Sequence, residues 1–283
     1  MISFHCSLAL LALMAALILP CCAEGMNAAE KMMWSTYPVA TPKGAATGFI
    51  IRRHHSIFQK KRELVMITSN HVLETLGGGP LLLVLRSGRV GSKVAPLFLL
   101  IMPPTEDAKS FYVTHPLHDI SAFKLYLPPE VEEIAETKSF VDEDMLNDQV
   151  TPLHTGMEVG FLGYPDVLPG TEGGFPVLRS GRVASYPVEG ECSGGRFLIN
   201  SDVYAGDSGA PVIWIRHARR PKLVGMVIQR VGPEARSFSH LAVAVNAEVI
   251  RQTLQMLADR ESHPVRTKDQ NLPMLTPSTQ NSR

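Results

Sequence analysis

The chain has 283 residues, 45% of them hydrophobic, and its 27 Lys and Arg residues balance 27 Asp and Glu residues. This apolar content is sufficient to form a core and excludes a chain that is disordered throughout. A net charge of zero provides no positive field to attract phosphates or anionic lipid, so we do not expect a nucleic-acid partner.

The first 23 residues are typical of a secretory signal peptide. Their apolar run, Leu8 to Leu19, is shorter than the roughly 20 residues that cross a bilayer. Pro20 and the small residues that end at Ala23 predict cleavage after Ala23. The leader lacks Lys and Arg, which leaves open an uncleaved anchor, and Cys22 leaves open a lipid-anchored start. A membrane is a partner only in those two cases.

The cysteines indicate the compartment. Three of the four lie in the leader, so Cys192 alone remains after cleavage and no internal disulfide can form. An exported protein without disulfides points to a bacterial-type envelope, periplasmic or secreted. Cys192 lies in Glu-Cys-Ser-Gly-Gly, which predicts an exposed, inert thiol in a turn.

Residues 24–43, with Pro38 and Pro42, favour an N-terminal arm over a packed element. Short β-rich segments separated by turn residues then predict an antiparallel barrel over residues 44–140. The strands predicted in this half are Ala46–Arg52, Glu63–Thr68, Leu81–Leu85, Leu97–Met102 and Ile120–Leu127.

An acidic stretch, residues 128–150, predicts a linker between this half and a second one. The second half, residues 141–260, contains six further β-rich segments and a C-terminal helix over Ala247–Ala258 with Asn246 as its cap. Residues 261–283 are polar and Pro-rich, which predicts a disordered tail. The six strands predicted here are Glu158–Leu162, Pro176–Ser185, Arg196–Ile199, Ala210–Ile215, Lys222–Val231 and Ser239–Val245.

Ser208 is the candidate nucleophile. It lies in Ala-Gly-Asp-Ser-Gly-Ala-Pro, where glycines allow a sharp turn and let successive N–H groups point to one place. The N–H groups of Gly206 and Ser208 would then form an oxyanion hole. A simple turn between two strands is the alternative explanation of the same segment.

His71 and Asp119 are the candidate base and orienting acid. His71 follows a buried strand in Thr-Ser-Asn-His-Val, and Asp119 directly precedes an alternating strand in His-Asp-Ile-Ser-Ala-Phe. Asp119 could therefore hold the tautomer of the His71 ring. Taken alone, each residue is equally explained as a core or capping histidine and as a turn-capping aspartate.

The order His, Asp, Ser and the three motifs resemble the chymotrypsin-trypsin clan, and Thr-Ser-Asn-His-Val resembles the bacterial heat-shock-type trypsin-like peptidases. Thr47-Gly48-Phe49, Gly163-Tyr164-Pro165 and Ser180-Gly181-Arg182 are similar to further family segments. The resemblance covers about residues 44–257. It implies an all-β fold of two antiparallel six-stranded barrels, chymotrypsin-like, with a C-terminal helix.

The resemblance also implies a serine endopeptidase that acts on protein or peptide substrates through an acyl-enzyme on Ser208. Such chemistry needs no cofactor, and the sequence shows no metal-ligand spacing, since the adjacent pair His54-His55 favours a solvated turn. A catalytically silent protease fold that binds other molecules in the envelope is the alternative function.

Substrate contacts are implied at two places. Asp202 resembles the acid that selects Arg or Lys side chains in trypsin, although it could instead end a strand or pair with Arg230. Ile228, Gln229 and Arg230 resemble the strand that pairs with the substrate backbone.

Two departures from the family are visible. No Ile-Val-Gly-Gly-like segment precedes the first barrel to pair with Asp207 after cleavage, so we expect local hydrogen bonds to hold Asp207. Only a short tail is expected after the barrels, so we do not expect the peptide-binding domain that the heat-shock-type enzymes usually add there.

Overall fold

The structure is a computed structural model. It describes residues 28–54, 62–77, 79–87, 94–103, 111–127, 129, 131–132, 135, 139–141, 144–145, 152–166, 174–188, 193–214, 222–230 and 240–262. The predicted leader and tail residues 263–283 therefore lie outside the described residues, as do Cys192 and His55.

The described part of the first half is a sheet of eight strands, antiparallel except for β8, together with two helices. The helix α1 spans Ala28–Ser35, and a short helix α2 spans Asn70–Glu74 between the third and fourth strands. The strands are β1 Thr36–Thr41, β2 Gly44–His54, β3 Arg62–Thr68, β4 Leu81–Ser87, β5 Ala95–Ile101, β6 Val113–Thr114, β7 Ser121–Leu125 and β8 Phe140–Val141. They follow the order β5-β4-β1-β2-β3-β7-β6, with β8 added in parallel to β2.

The second half is a closed barrel of six antiparallel strands, in the order β10-β11-β14-β13-β12-β9. Its strands are β9 Glu158–Gly163, β10 Val177–Val183, β11 Arg196–Asn200, β12 Pro211–Trp214, β13 Lys222–Arg230 and β14 Leu241–Asn246. Closure pairs every strand on both sides and removes the exposed edges of an open sheet.

The C-terminal helix α3, Ala247–Ser262, begins where the sequence predicts. The side chain of Asn246 accepts a hydrogen bond from Val249 N at 3.1 Å, which satisfies one of the free amides of the first turn. The helix also reaches the first half, because Gln252 contacts His115 at 3.1 Å and Arg260 donates to the carbonyl of Tyr112 at 2.9 Å.

The all-β fold class is confirmed, and the described strands overlap every predicted one. The first half differs in detail, because it has eight strands in place of six and the order of its described strands does not close. The prediction of a loose arm over residues 24–43 is wrong for α1 and β1. Trp34, Tyr37 and Val39 are buried, and β1 pairs with both β2 and β4. These contacts outweigh the turn signal of the two prolines.

One hydrophobic core joins the halves. It fills the second barrel and continues into Phe49, Val65, Ile67 and Ala122 of the first sheet. A second cluster lies wholly within the first half. Within the described ranges, no helix has the length and apolar character needed to span a bilayer.

Candidate active site

His71 and Asp119 lie close together at the adjacent ends of two paired strands. Strand β3 ends at Thr68 and leads into α2, which carries His71, while Asp119 lies in the loop before β7, the neighbour of β3. His71 Nδ1 lies 2.6 Å from Asp119 Oδ2, and the backbone N–H of His71 donates to Asp119 Oδ1 at 2.8 Å. One carboxylate therefore holds both the ring and the backbone of the histidine.

This contact sets the tautomer and the proton affinity of the ring. An ionised carboxylate only accepts hydrogen bonds, so Nδ1 carries the proton and Nε2 presents a free lone pair. The hydrogen bond to Asp119 raises the pKa of His71 above its usual value, desolvation opposes the rise, and the charges of Asp119 and Glu74 add to it. The half-exposed side chain of His71 stays accessible to a reacting group.

Asn70 supports this pair, a role that sequence reasoning missed. Its Oδ1 accepts hydrogen bonds from Thr114 Oγ1 at 2.8 Å and Ser121 Oγ at 2.9 Å, and its Nδ2 donates to Glu74. The residue before the histidine is thus tied to the strands on either side of Asp119. Its place in Thr-Ser-Asn-His-Val was the only signal in the sequence.

Ser208 lies in a tight turn between Tyr204 and Ala210. Gly206 and Gly209 have φ of +94° and +89°, a region that residues with a Cβ rarely adopt. A Cβ on Gly206 would come within 2.1 Å of the carbonyl oxygen of Tyr164, and one on Gly209 within 2.0 Å of that of Thr47. Both glycines are therefore required by close backbone approach as well as by φ.

Thr47 of β2 connects this turn to the first sheet. Its backbone N–H donates to Ser208 O at 2.9 Å, and its Oγ1 donates to Gly206 O at 2.7 Å. Thr47 Oγ1 also accepts a hydrogen bond from Tyr164 N at 3.0 Å. A buried threonine thus fixes the carbonyls on both sides of Asp207, a role that sequence reasoning also missed.

The backbone N–H groups of the turn differ in whether they donate a hydrogen bond to another described residue. Asp207 N, Gly209 N and Ala210 N donate to backbone carbonyls at 3.1, 2.8 and 2.9 Å. Among the described residues, Gly206 N and Ser208 N have no protein acceptor. These are the two N–H groups that the sequence nominates as the oxyanion donors.

Asp207 is completely buried and forms an ion pair with Arg179 of β10. Arg179 NH1 donates to Oδ2 at 2.7 Å and NH2 donates to Oδ1, while the backbone N–H of Tyr204 donates to Oδ2 at 2.7 Å. A Cβ at Gly163 would collide with this carboxylate. The expected local contacts of Asp207 are therefore present, with Arg179 as a partner that the sequence did not reveal.

His71, Gly206 and Ser208 line one open cavity of about 400 Å³. Ala46 and Asp166 lie on its walls, so the cavity forms where the two halves meet. The candidate base, the candidate nucleophile and the glycine that is a candidate oxyanion donor therefore line the same cavity.

Asp202, Ile228 and Gln229, three of the predicted substrate-contact residues, are not among the described residues that line this cavity. Asp202 contacts His240 Nδ1 at 2.5 Å in an exposed pair, and the side chain of Arg230 lies outside the described part of the structure. Ile228 is buried in the core, and Gln229 is exposed on β13. The register of β13 against β14 shifts between Val227 and Gln229, which removes Ile228 from the ladder and alters the direction of the strand.

A histidine pair lies beside Asp119. His118 and His115 stack with ring centroids 4.7 Å apart, and Arg196 Nε lies 3.4 Å from His118 Nδ1. Desolvation, followed by the charges of His115 and Arg196, lowers the pKa of His118 to about 4. Across the described ranges, no cluster of His, Cys, Asp or Glu could hold a metal ion.

A closed six-stranded barrel, a second antiparallel sheet and a C-terminal helix are consistent with the chymotrypsin-like double β-barrel class. No family model matches the sequence, and no curated protein matches it. A solved structure that matches is Rv3671c from M. tuberculosis H37Rv, crystallised as an inactive serine-to-alanine mutant. The two are 18% identical with a TM-score of 0.47, over 83% of this chain and 90% of that chain.

Proposed function

We propose that the protein is a serine endopeptidase in which Ser208, His71 and Asp119 act as nucleophile, base and orienting acid. The observation that carries this proposal is the shared cavity. It is lined by a serine in a glycine turn and by a histidine whose Nδ1 is bound to a carboxylate. The free N–H groups of Gly206 and Ser208 support it further.

In this mechanism Nε2 of His71 accepts the proton of the Ser208 hydroxyl as its oxygen attacks a peptide carbonyl. Asp119 stabilises the imidazolium that results. The carbonyl oxygen gains negative charge, which the amides of Gly206 and Ser208 are positioned to stabilise. His71 returns the proton to the leaving amine, and water then hydrolyses the acyl-enzyme by the reverse proton transfers.

The ion pair between Asp207 and Arg179 indicates how the turn is kept competent. A buried carboxylate needs a cation, and Arg179 supplies it from within the fold. The protein therefore needs no newly cut amino terminus to neutralise Asp207. We expect it to be active as soon as it has folded.

A fluorophosphonate probe tests the function directly, because it reacts only with an activated serine. We expect labelling of the folded wild type and none of Ser208→Ala. Ser201→Ala is the matched control, since Ser201 precedes the same turn and its hydroxyl bonds Ser180 O away from the cavity. Absence of labelling in folded wild-type protein would favour the alternative, a silent protease fold that binds other molecules.

Specificity is a separate part of the proposal. Basic side chains are preferred only if Asp202 leaves His240 and faces the substrate. A peptide library cleaved by wild type and Asp202→Asn tests this, with selection for Arg and Lys lost in the variant. A wild type without such a preference would dismiss Asp202 as a specificity residue and leave the catalytic proposal intact.

A further inference from the structure

Arg86 of β4 is a buried cation whose described hydrogen-bond partners include no acidic side chain. It is 2% exposed, and among the described residues no carboxylate forms an ion pair with it. Arginine keeps its charge at all ordinary pH values, so burying it without a counter-ion is costly. A buried guanidinium without a counter-ion must be stabilised by neutral acceptors, and the positions of these acceptors show which segments of the chain Arg86 connects.

Its first set of acceptors is the end of α1. Arg86 NH2 donates to the carbonyls of Met33 at 2.7 Å, Trp34 at 3.2 Å and Thr36 at 2.5 Å. The last carbonyls of a helix have no partner within the helix and carry partial negative charge, so a cation there satisfies both needs. Arg86 thus binds the N-terminal helix to the sheet.

Its second set of acceptors belongs to the other half. Arg86 NH1 donates to Tyr164 Oη at 2.7 Å and to Gly174 O at 2.7 Å, and its guanidinium packs 4.7 Å from the ring centroid of Phe175. Tyr164 directly follows β9. The fork of the guanidinium therefore joins α1 to the segment after β9.

Tyr164 in turn touches the turn that carries Ser208. Its N–H donates to Thr47 Oγ1, which donates to Gly206 O, and its carbonyl oxygen packs against Gly206 so closely that no Cβ fits. Two residues later, Asp166 N donates to Ala205 O at 2.9 Å. In a trans peptide the C=O and N–H point in opposite directions, so this bond turns the Gly206 N–H away from Asp166.

We propose that Arg86 is a positioning residue for the oxyanion site: by tying Tyr164 to the end of α1, it holds the segment that orients the Gly206 N–H. This inference rests on the proposed function. Its consequence is that the N-terminal helix is part of the catalytic apparatus, although none of its described side chains lines the cavity. We call the hydrogen bonds that join Arg86 to Tyr164 and to the end of α1 the clamp. Loosening the clamp should weaken stabilisation of the transition state more than binding of the substrate.

The test uses Arg86→Lys, Tyr164→Phe and the double variant, at a temperature where each is folded by circular dichroism. Lysine keeps the charge but cannot bridge two sets of acceptors, and phenylalanine removes one hydroxyl while keeping the ring. We expect kcat to fall about 10- to 100-fold, a fraction of the loss of a whole oxyanion donor, with KM changed less than about twofold. The double variant should lose less than the sum of the two single variants, because both variants lose the bond between Arg86 and the Tyr164 hydroxyl, which also donates to Thr36 O at 3.0 Å and to Gly174 O at 2.9 Å.

Arg53→Lys is the matched control, since Arg53 is a mostly buried arginine of the same sheet that pairs with Glu63. Its kcat should equal that of wild type. Three results would overturn the inference: unchanged kcat in folded Arg86→Lys, a loss carried by KM, or additive losses in the double variant.

A second measurement separates this inference from the proposed function. Hydrogen exchange of the Asp207 and Asp166 amides, both bonded in the turn region, should accelerate in Arg86→Lys and not in Arg53→Lys. If wild type fails to react with the fluorophosphonate while this exchange still accelerates, the protease proposal fails and the clamp stands. If wild type reacts and exchange is unchanged, the clamp alone fails.

Discussion

The two halves of the cavity are held in different ways. On the side of the first sheet, His71 and Asp119 are partly exposed, with 50% and 26% of their side-chain surfaces accessible, and each relies on the other for its position. On the side of the barrel, Ser208 lies in a turn fixed by the completely buried carboxylate of Asp207, which pairs with the partly buried Arg179, and by backbone bonds from Thr47 and Val227.

This difference matches the two tasks of the proposed chemistry. A base must exchange protons with the substrate and with water, which requires an accessible ring. Oxyanion donors must be in place before charge develops, which requires a rigid backbone that does not reorganise. Changes on the first side should therefore affect proton transfer, whereas changes on the second should affect both stability and activity.

The largest expected effect is on the exposed side. Asp119→Asn should lower kcat about 10⁴-fold, because an amide can donate to Nδ1 and so stabilise the wrong tautomer. The free energy of unfolding should change little, since the pair is partly solvated. Steady-state kinetics and urea unfolding measure the two quantities, and a large loss of stability with little loss of kcat would reverse the comparison.

The buried side should show the opposite balance. Arg179→Met leaves the Asp207 carboxylate buried without its cation, which costs about 3–5 kcal/mol of unfolding free energy. Arg182→Met is the control, because Arg182 lies on the same strand but is exposed, and Gly156 O is the one described acceptor of its side chain. Equal stability of the two variants in urea unfolding would show that the Asp207 ion pair does not brace the turn.

The sequence was sufficient for the strands and the three candidate residues because both depend on local patterns. Alternation of apolar residues located β2, β3 and β7, and the glycines around Ser208 gave the sharp turn. Only the resemblance linked residues 48 and 89 positions apart, since no local pattern reports which strand ends meet.

The contacts that support the site could not be predicted from the sequence for the same reason. Arg179 is followed by Ser-Gly-Arg in an exposed-looking strand, and nothing nearby reveals that its partner is Asp207. Arg86 follows an apolar run and resembles a strand end that faces solvent. The α1–β1 segment was misjudged because the two prolines were given more weight than its aromatic residues, and because the partners of β1, which lie in β2 and β4, are distant in sequence.

Helix α3 spans both halves and offers a smaller test of the comparison. Asn246→Ala removes the cap of its first turn and should cost about 1 kcal/mol of unfolding free energy. The pH dependence of activity should not change, because no described hydrogen bond or ion pair joins α3 to His71 or Asp119. Asn246→Asp, which keeps the capping oxygen, is the control in thermal unfolding, and a shift of the activity profile in Asn246→Ala would contradict the separation of roles.

The smallest effect concerns the charge of Glu74, the least of the causes that raise the pKa of His71. The base must be neutral, so kcat/KM of wild type should fall as pH drops through this raised pKa, at a pH above that of an unperturbed histidine. The ion pair between His71 and Asp119 has the opposite effect on stability, since its contribution is present at low pH and is lost as pH rises through the same pKa.

Glu74→Gln keeps an acceptor for Asn70 but removes the charge, which lowers the pKa of His71 and moves the acid limb of the kcat/KM profile to lower pH. Glu248→Gln, a distant exposed glutamate paired with Arg251, should leave the profile in place. A limb that moves to higher pH in Glu74→Gln would mean that the exposed side of the cavity is not governed by the charges around His71.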